Sequence, residues 1–174
     1  LLVNAGGPPP GGFDQFDDAA WQQAFELTLM STVRLIRAVR PLLARQGGAI
    51  VAITSSAVKE PIDALLLSNV MRAGVVGLLK SLSRTLAPER IRVNNLIPGS
   101  IHTDRIRALN SQMAQLQGVT PEQLEQAATR QIPLGRYGSP DEFARAALFL
   151  LSDAASYITG ASLQVDGGTL RTLW

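Results

Sequence analysis

Cysteine is absent from this chain, and histidine occurs once, as His102. Without thiols there is no disulfide, no thiolate nucleophile and no Cys-ligated metal. One imidazole excludes a His-based zinc site as well. Aromatic residues make up 5% of the chain, and its two tyrosines are Tyr137 and Tyr157. No apolar run approaches the roughly 18 to 20 residues that cross a bilayer, and no charged-then-apolar secretion signal opens the sequence. No membrane association and a cytoplasmic location are therefore expected. Basic blocks are missing too, since the formal net charge is +2. Arg34, Arg37 and Arg40 recur every three residues, but no aromatics interleave with them. They read as a solvated helix face, and no nucleic-acid partner is expected. An initiator methionine is also lacking: the chain opens on Leu1-Leu2-Val3-Asn4, a strand with no lead-in, and a lost N-terminal part is expected.

What is present is material for a core. With 174 residues, 46% hydrophobic and 17% charged, residues 1–174 are expected to form one soluble globular unit. Leu1 to Val3 reads as a buried strand that runs into Asn4-Ala5-Gly6-Gly7 and a Pro-Gly loop. Trp21, Phe25, Leu29, Val33, Ile36, Val39 and Leu43 recur at three and four residues, which predicts one amphipathic helix from Asp18 to about Ala44. Ala49 to Thr54 is a compact β-branched run, the pattern of a strand buried on both faces. A second helix is predicted from about Leu65 to Ala87, then a strand from Arg92 to Ile97 ended by Pro98-Gly99. Residues 100–132 are polar and less regular, although Thr120-Pro121-Glu122-Gln123 and Ser139-Pro140-Asp141-Glu142 are capping boxes that open helices. Ser162 to Val165 is a last strand, stopped by Asp166-Gly167-Gly168. Strands separated by helices of this length need crossover connections, so the expected fold class is α/β, a doubly wound parallel sheet. In such a sheet ligands bind beyond the carboxyl ends of the strands. The loops at Asn4-Ala5-Gly6, Thr54-Ser55-Ser56 and Pro98 to Thr103 all lie at such ends.

At these residues the chain resembles the short-chain dehydrogenase/reductase family, and within it proteins that look like 3-oxoacyl-[acyl-carrier-protein] reductases. The resemblance runs from Val3-Asn4-Ala5-Gly6 through Ile53-Thr54-Ser55-Ser56, Ala73-Gly74-Val75-Val76-Gly77-Leu78 and Ile91-Arg92-Val93-Asn94. It continues through Pro98-Gly99-Ser100-Ile101-His102-Thr103-Asp104, Pro133-Leu134-Gly135-Arg136, and Ile158-Thr159-Gly160 to Val165-Asp166-Gly167-Gly168. It implies a Rossmann-type fold of which this chain is the C-terminal portion, an incomplete domain whose first strands, with the Gly-rich pyrophosphate turn, are absent. It also implies NAD or NADP as cofactor, hydride transfer with a carbonyl or acyl thioester substrate, and a homodimer or homotetramer paired through the two long helices.

The family's catalytic set is a tyrosine acid, a lysine four residues later, a serine that orients the carbonyl and an asparagine in the preceding long helix. Only the serine is retained, as Ser55. Ser68 stands at the tyrosine position, thirteen residues on, Arg72 at the lysine position and Thr28 at the asparagine position. An alkyl hydroxyl is far less acidic than a phenol, so Ser68 is a poor proton donor at neutral pH. Arg72 keeps the positive charge with a planar fork suited to ribose hydroxyls or phosphate, and Thr28 lacks the amide's two-ended hydrogen bonding. The resemblance implies cofactor contacts from Asn4, Ala5, Gly6, Arg72, Pro98, Gly99, Ile101 and Thr103, and no metal. The same substitutions leave a second expectation open, a non-catalytic ligand-binding or assembly module on the same fold.

Overall fold

The structure, a computed structural model, describes residues 1–173; for Arg105, Leu109, Gln112 and Leu116 the backbone alone is described. Four parallel strands, β1 (Leu2–Val3), β2 (Gly48–Ile53), β3 (Ile91–Pro98) and β4 (Ser162–Val165), lie side by side in chain order. The registers pair Val3 with Ala52, Ile50 with Val93, and Leu96 with Leu163. This is the expected α/β parallel sheet.

Successive side chains of a strand point to opposite faces, and that alternation divides the core in two. Ile50, Ala52 and Val93 pack with Val3, Ile36, Val75 and Leu79 on one face. Val51 and Leu96 pack with Ala147 and Leu150 on the other. Ile50, Val51, Val93 and Leu96 are wholly buried, and each contributes about 2 kcal/mol of hydrophobic stabilisation. The helices follow the same division: α2 (Ser31–Leu43) and α3 (Leu66–Thr85) cover the first face, α6 (Pro140–Leu151) the second. Each strand is added on the same side of its predecessor, yet the covering helix changes face, so the route through α6 has the opposite hand to the first two crossovers.

The first long helix departs from its expected form. It begins as α1 (Asp18–Ala24), capped by the Asp17 carboxylate on Ala20 N at 2.9 Å, and then widens into a π-helical segment, Phe25–Met30, before α2. A π turn leaves the ordinary i to i−4 ladder, and the hydroxyls that follow compensate. Ser31 Oγ donates to Leu27 O, and Thr32 Oγ1 donates to Thr28 O at 2.9 Å.

Residues 100–132 hold more helix than expected. Thr103 caps α4 (Asp104–Gln117), which packs against α5 (Pro121–Thr129). Both capping boxes form as read: Thr120 with Gln123, and Ser139 with Glu142. Two buried asparagines fasten the last strand. Asn94 donates to Ile158 O and accepts from Ala161 N, at 2.9 and 3.0 Å. Asn95 accepts from Thr54 Oγ1 at 2.7 Å and donates to Ser162 Oγ at 3.1 Å, which links β2, β3 and β4 through side chains. Among the described residues no helix is long and apolar enough to cross a membrane.

Candidate active site

At the carboxyl edge the three expected loops come together with the first turns of α3. Ser55 follows β2, and its Oγ accepts from Ala57 N at 3.2 Å, capping a 3-10 turn over Ser56–Val58 that packs against α3. The hydroxyl thus satisfies a local backbone N–H. Ser68 lies in the first turn of α3, 8% exposed, and accepts from Arg72 Nε at 3.2 Å. The i, i+4 spacing read from the sequence is what lets these two side chains meet. Arg72 reaches further: Nη1 donates to Ile53 O at 3.1 Å and Nη2 to Ala5 O at 3.5 Å. In these contacts the acceptors are two backbone carbonyls and the Ser68 hydroxyl.

Asn4 and Gly6 are exposed at the end of β1 and Ala5 is half-buried. A Cβ on Gly6 would meet the Leu27 side chain at 3.6 Å, an ordinary van der Waals contact, so packing alone does not demand glycine there. After β3, by contrast, each residue has a packing task. A Cβ on Gly99 would sit 2.5 Å from Asp166 Cα, so only glycine lets this loop approach the turn after β4. Ile101 is 8% exposed and forms a bridge with Gly138. Thr103 Oγ1 accepts from Ile106 N at 3.3 Å, and Pro98, the last residue of β3, is half-buried.

Thr28 lies within the π-helical segment at 1% exposure, and its Oγ1 meets no hydrogen-bond partner among the described residues. Neither tyrosine joins Ser55 and Ser68. Tyr157 is fully exposed, on the amino side of β4. Tyr137 is buried under the loop after β3, where its hydroxyl accepts from Asn110 Nδ2 at 3.4 Å. His102 is exposed, but it is not isolated. Its ring lies 5.0 Å from that of Tyr137, and Nε2 lies 3.5 Å from Glu125 Oε1.

Several supports were not foreseen from the sequence. The Pro-Gly loop is tied to the start of α3 by Gly11 N donating to Ala64 O at 2.8 Å. Asn69 Nδ2 donates to Ile62 O at 2.9 Å and fixes the segment between Ser55 and Ser68. Two cavities lie elsewhere. One of about 460 Å³ opens at the amino edge by Gly47, Arg90 and Arg92, and one of about 410 Å³ lies between α3 and β4; neither contains a candidate site residue.

A family profile described as Enoyl-(Acyl carrier protein) reductase matches residues 1–169. The chain is 35% identical to the 3-oxoacyl-[acyl-carrier-protein] reductase FabG of Chlamydia trachomatis, over 97% of this chain and 64% of that protein. It is 34% identical to the 7alpha-hydroxysteroid dehydrogenase of Escherichia coli K12, over 99% of this chain and 64% of that protein. Among solved structures it is similar to an NADPH-bound short chain oxidoreductase from Pseudomonas aeruginosa PAO1 containing an atypical catalytic center. That match has a TM-score of 0.84 and 33% identity, over 99% of this chain and 65% of the other. The chain spans 64% of the length of these two curated relatives. A parallel sheet of this topology and a profile match over residues 1–169 together place the chain in the short-chain dehydrogenase/reductase family.

Proposed function

We propose that this chain is the C-terminal portion of an NAD- or NADP-dependent oxidoreductase that moves a hydride between a nicotinamide and a carbonyl or alcohol, in the manner of 3-oxoacyl-carrier-protein reductases. Its substrate is a small carbonyl compound or acyl thioester, and it works in the cytoplasm. The observation that carries this reading is the bonding of two hydroxyls at the carboxyl edge. Ser55 Oγ accepts from Ala57 N and Ser68 Oγ from Arg72 Nε. Each oxygen accepts one hydrogen bond, and among the described residues neither O–H is committed to an acceptor, so each could donate to a ligand. Donors aimed at a carbonyl oxygen stabilise the charge that develops there when carbon receives a hydride.

The exposed strand end at Asn4 and Gly6 fits the nicotinamide half of such a cofactor. Asn4, Ala5 and Gly6 would hold it from one side and Pro98, Gly99, Ile101 and Thr103 from the other, with Arg72 bonded to the loop at Ala5. The bound cofactor supplies the hydride. Ser55 polarises the substrate oxygen, and a water held at Ser68 delivers the proton that a phenol would otherwise give. Thr28, whose buried hydroxyl has no partner among the described residues, would extend this proton path as a donor and acceptor in its own right. Exposed Leu35 and Leu42 on α2 and Val70 on α3 support a homodimer or homotetramer paired through the long helices.

The test is binding and oxidation of NADPH and NADH by the full-length protein, with a panel of ketones and 3-oxoacyl thioesters. Turnover with any of them is expected, and neither binding nor turnover would sink the proposal. A second reading, cofactor binding without turnover, is favoured by the position of the tyrosines, one fully exposed and the other buried away from Ser55 and Ser68. Ser68→Tyr combined with Arg72→Lys separates the two. Newly gained reductase activity identifies a decayed site, whereas loss of an existing activity shows that the present pair is functional.

A further inference from the structure

The geometry points to Arg72 as a positioning residue, which clamps the diverging ends of β1 and β2 and orients Ser68, rather than touching cofactor or substrate itself. The inference rests on the reductase reading for its catalytic consequence, and on hydrogen bonds alone for the clamp.

β1 pairs with β2 only as far as Val3 opposite Ala52. The bond from Val51 N to Leu1 O shows that odd-numbered residues of β2 face β1. Ile53 O therefore turns toward a strand that has just ended, and Ala5 O lies beyond the last ladder pair. Carbonyls that leave a ladder in a half-buried place need another donor, or they cost stability. Arg72 supplies it to both, through Nη1 to Ile53 and Nη2 to Ala5, while Nε donates to Ser68 Oγ.

One side chain thus joins three parts of the crevice: the loop through Ala5, the strand end two residues before Ser55, and Ser68. A planar guanidinium presents donors in several directions in a fixed fork, which the single ammonium of lysine cannot reproduce. It also stays protonated at every useful pH, so Ser68 always meets a donor and its own proton is always directed elsewhere. Here the exchange of lysine for arginine changes the task at this position, from holding a ligand to holding the walls around it.

The experiment compares full-length parent protein with Arg72→Lys and Arg72→Met by hydrogen–deuterium exchange, together with NADPH affinity at low and high salt. In both variants, peptides covering residues 4–7 and 53–57 should exchange about tenfold faster, the size expected for one lost buried hydrogen bond, with β3 unchanged. NADPH binding should weaken by the same factor in both, with the salt dependence of the parent retained. Unchanged exchange in the two segments overturns the clamp. So does full parental affinity in Arg72→Lys beside a loss of affinity and of salt dependence in Arg72→Met, because that pattern marks direct charge contact. If the parent protein binds no NADPH, the reductase reading fails while the exchange measurement still decides the clamp.

Discussion

Two buried polar regions of this molecule are built in opposite ways. Asn94 and Asn95, at 1% and 2% exposure, have their amides spent on named partners: Ile158 O, Ala161 N, Thr54 Oγ1 and Ser162 Oγ. Thr28, at 1% exposure, has a hydroxyl with no partner among the described residues. A satisfied buried amide holds chain segments together, because each partner would be orphaned without it. An unsatisfied hydroxyl stabilises nothing, and that of Thr28 sits in a π turn packed against α3. The difference separates residues that hold the sheet from one that the proposed proton path would use.

The sharpest way to break this comparison is to remove one member from each region. Asn94→Ala leaves Ile158 O and Ala161 N without their partners and should cost about 3 kcal/mol, read as a lower urea midpoint. A loss under about 1 kcal/mol would show that backbone pairing alone holds β4 and that the amide is incidental. Thr28→Val keeps the shape and deletes the hydroxyl, so stability should stay level or rise by about 1 kcal/mol. A fall instead would mean that the hydroxyl is satisfied, by water, and the contrast with Asn94 would close. With turnover in hand, a drop in kcat at unchanged stability would place Thr28 on the proton path.

These regions also differ in how far the sequence discloses them. The β-branched run at Ala49 to Thr54 and the apolar spacing along α3 follow from burial, so the strands and the Ser68–Arg72 pairing are readable in advance. The acceptors of Arg72 are backbone carbonyls, which have no residue identity to read, and no spacing announces that Ile53 O and Ala5 O converge. The π turn is equally silent, since Trp21, Phe25 and Leu29 keep a spacing of four into it. The partners of Asn94 and Asn95 mostly lie more than sixty residues away, beyond any local pattern. Helix α4 is a different case. Ile106, Leu109, Met113 and Leu116 do recur at three and four residues, but polar neighbours mask the period, and Thr103, in a loop by its Pro-Gly context, also caps the helix.

The smallest expected effect extends the comparison to an exposed network, at the start of α6. Arg136 donates to both carboxylate oxygens of Glu142, at 2.6 and 2.9 Å, and Ser139 N adds a third bond at 2.8 Å. The Arg136 hydrogen bond, followed by the Ser139 backbone, lowers the Glu142 carboxyl from 4.5 to about 2. A depressed carboxyl stabilises the fold above its unfolded pKa and gives that stabilisation up as pH falls through the folded value. Between pH 7 and 5 the first turn of α6 should therefore be unaffected, and from about pH 4.5 toward 2 it should loosen. Side-chain NMR of Glu142 reports the titration, and Glu142→Gln should remove that pH response while leaving the Asn94 contacts intact. Water competes for this pair on every side, so its loss should shift global stability far less than the loss of Asn94. If acid instead released β4 before α6 loosened, the buried amides would depend on a titrating group, and the division between structural and exposed polar contacts would fail there.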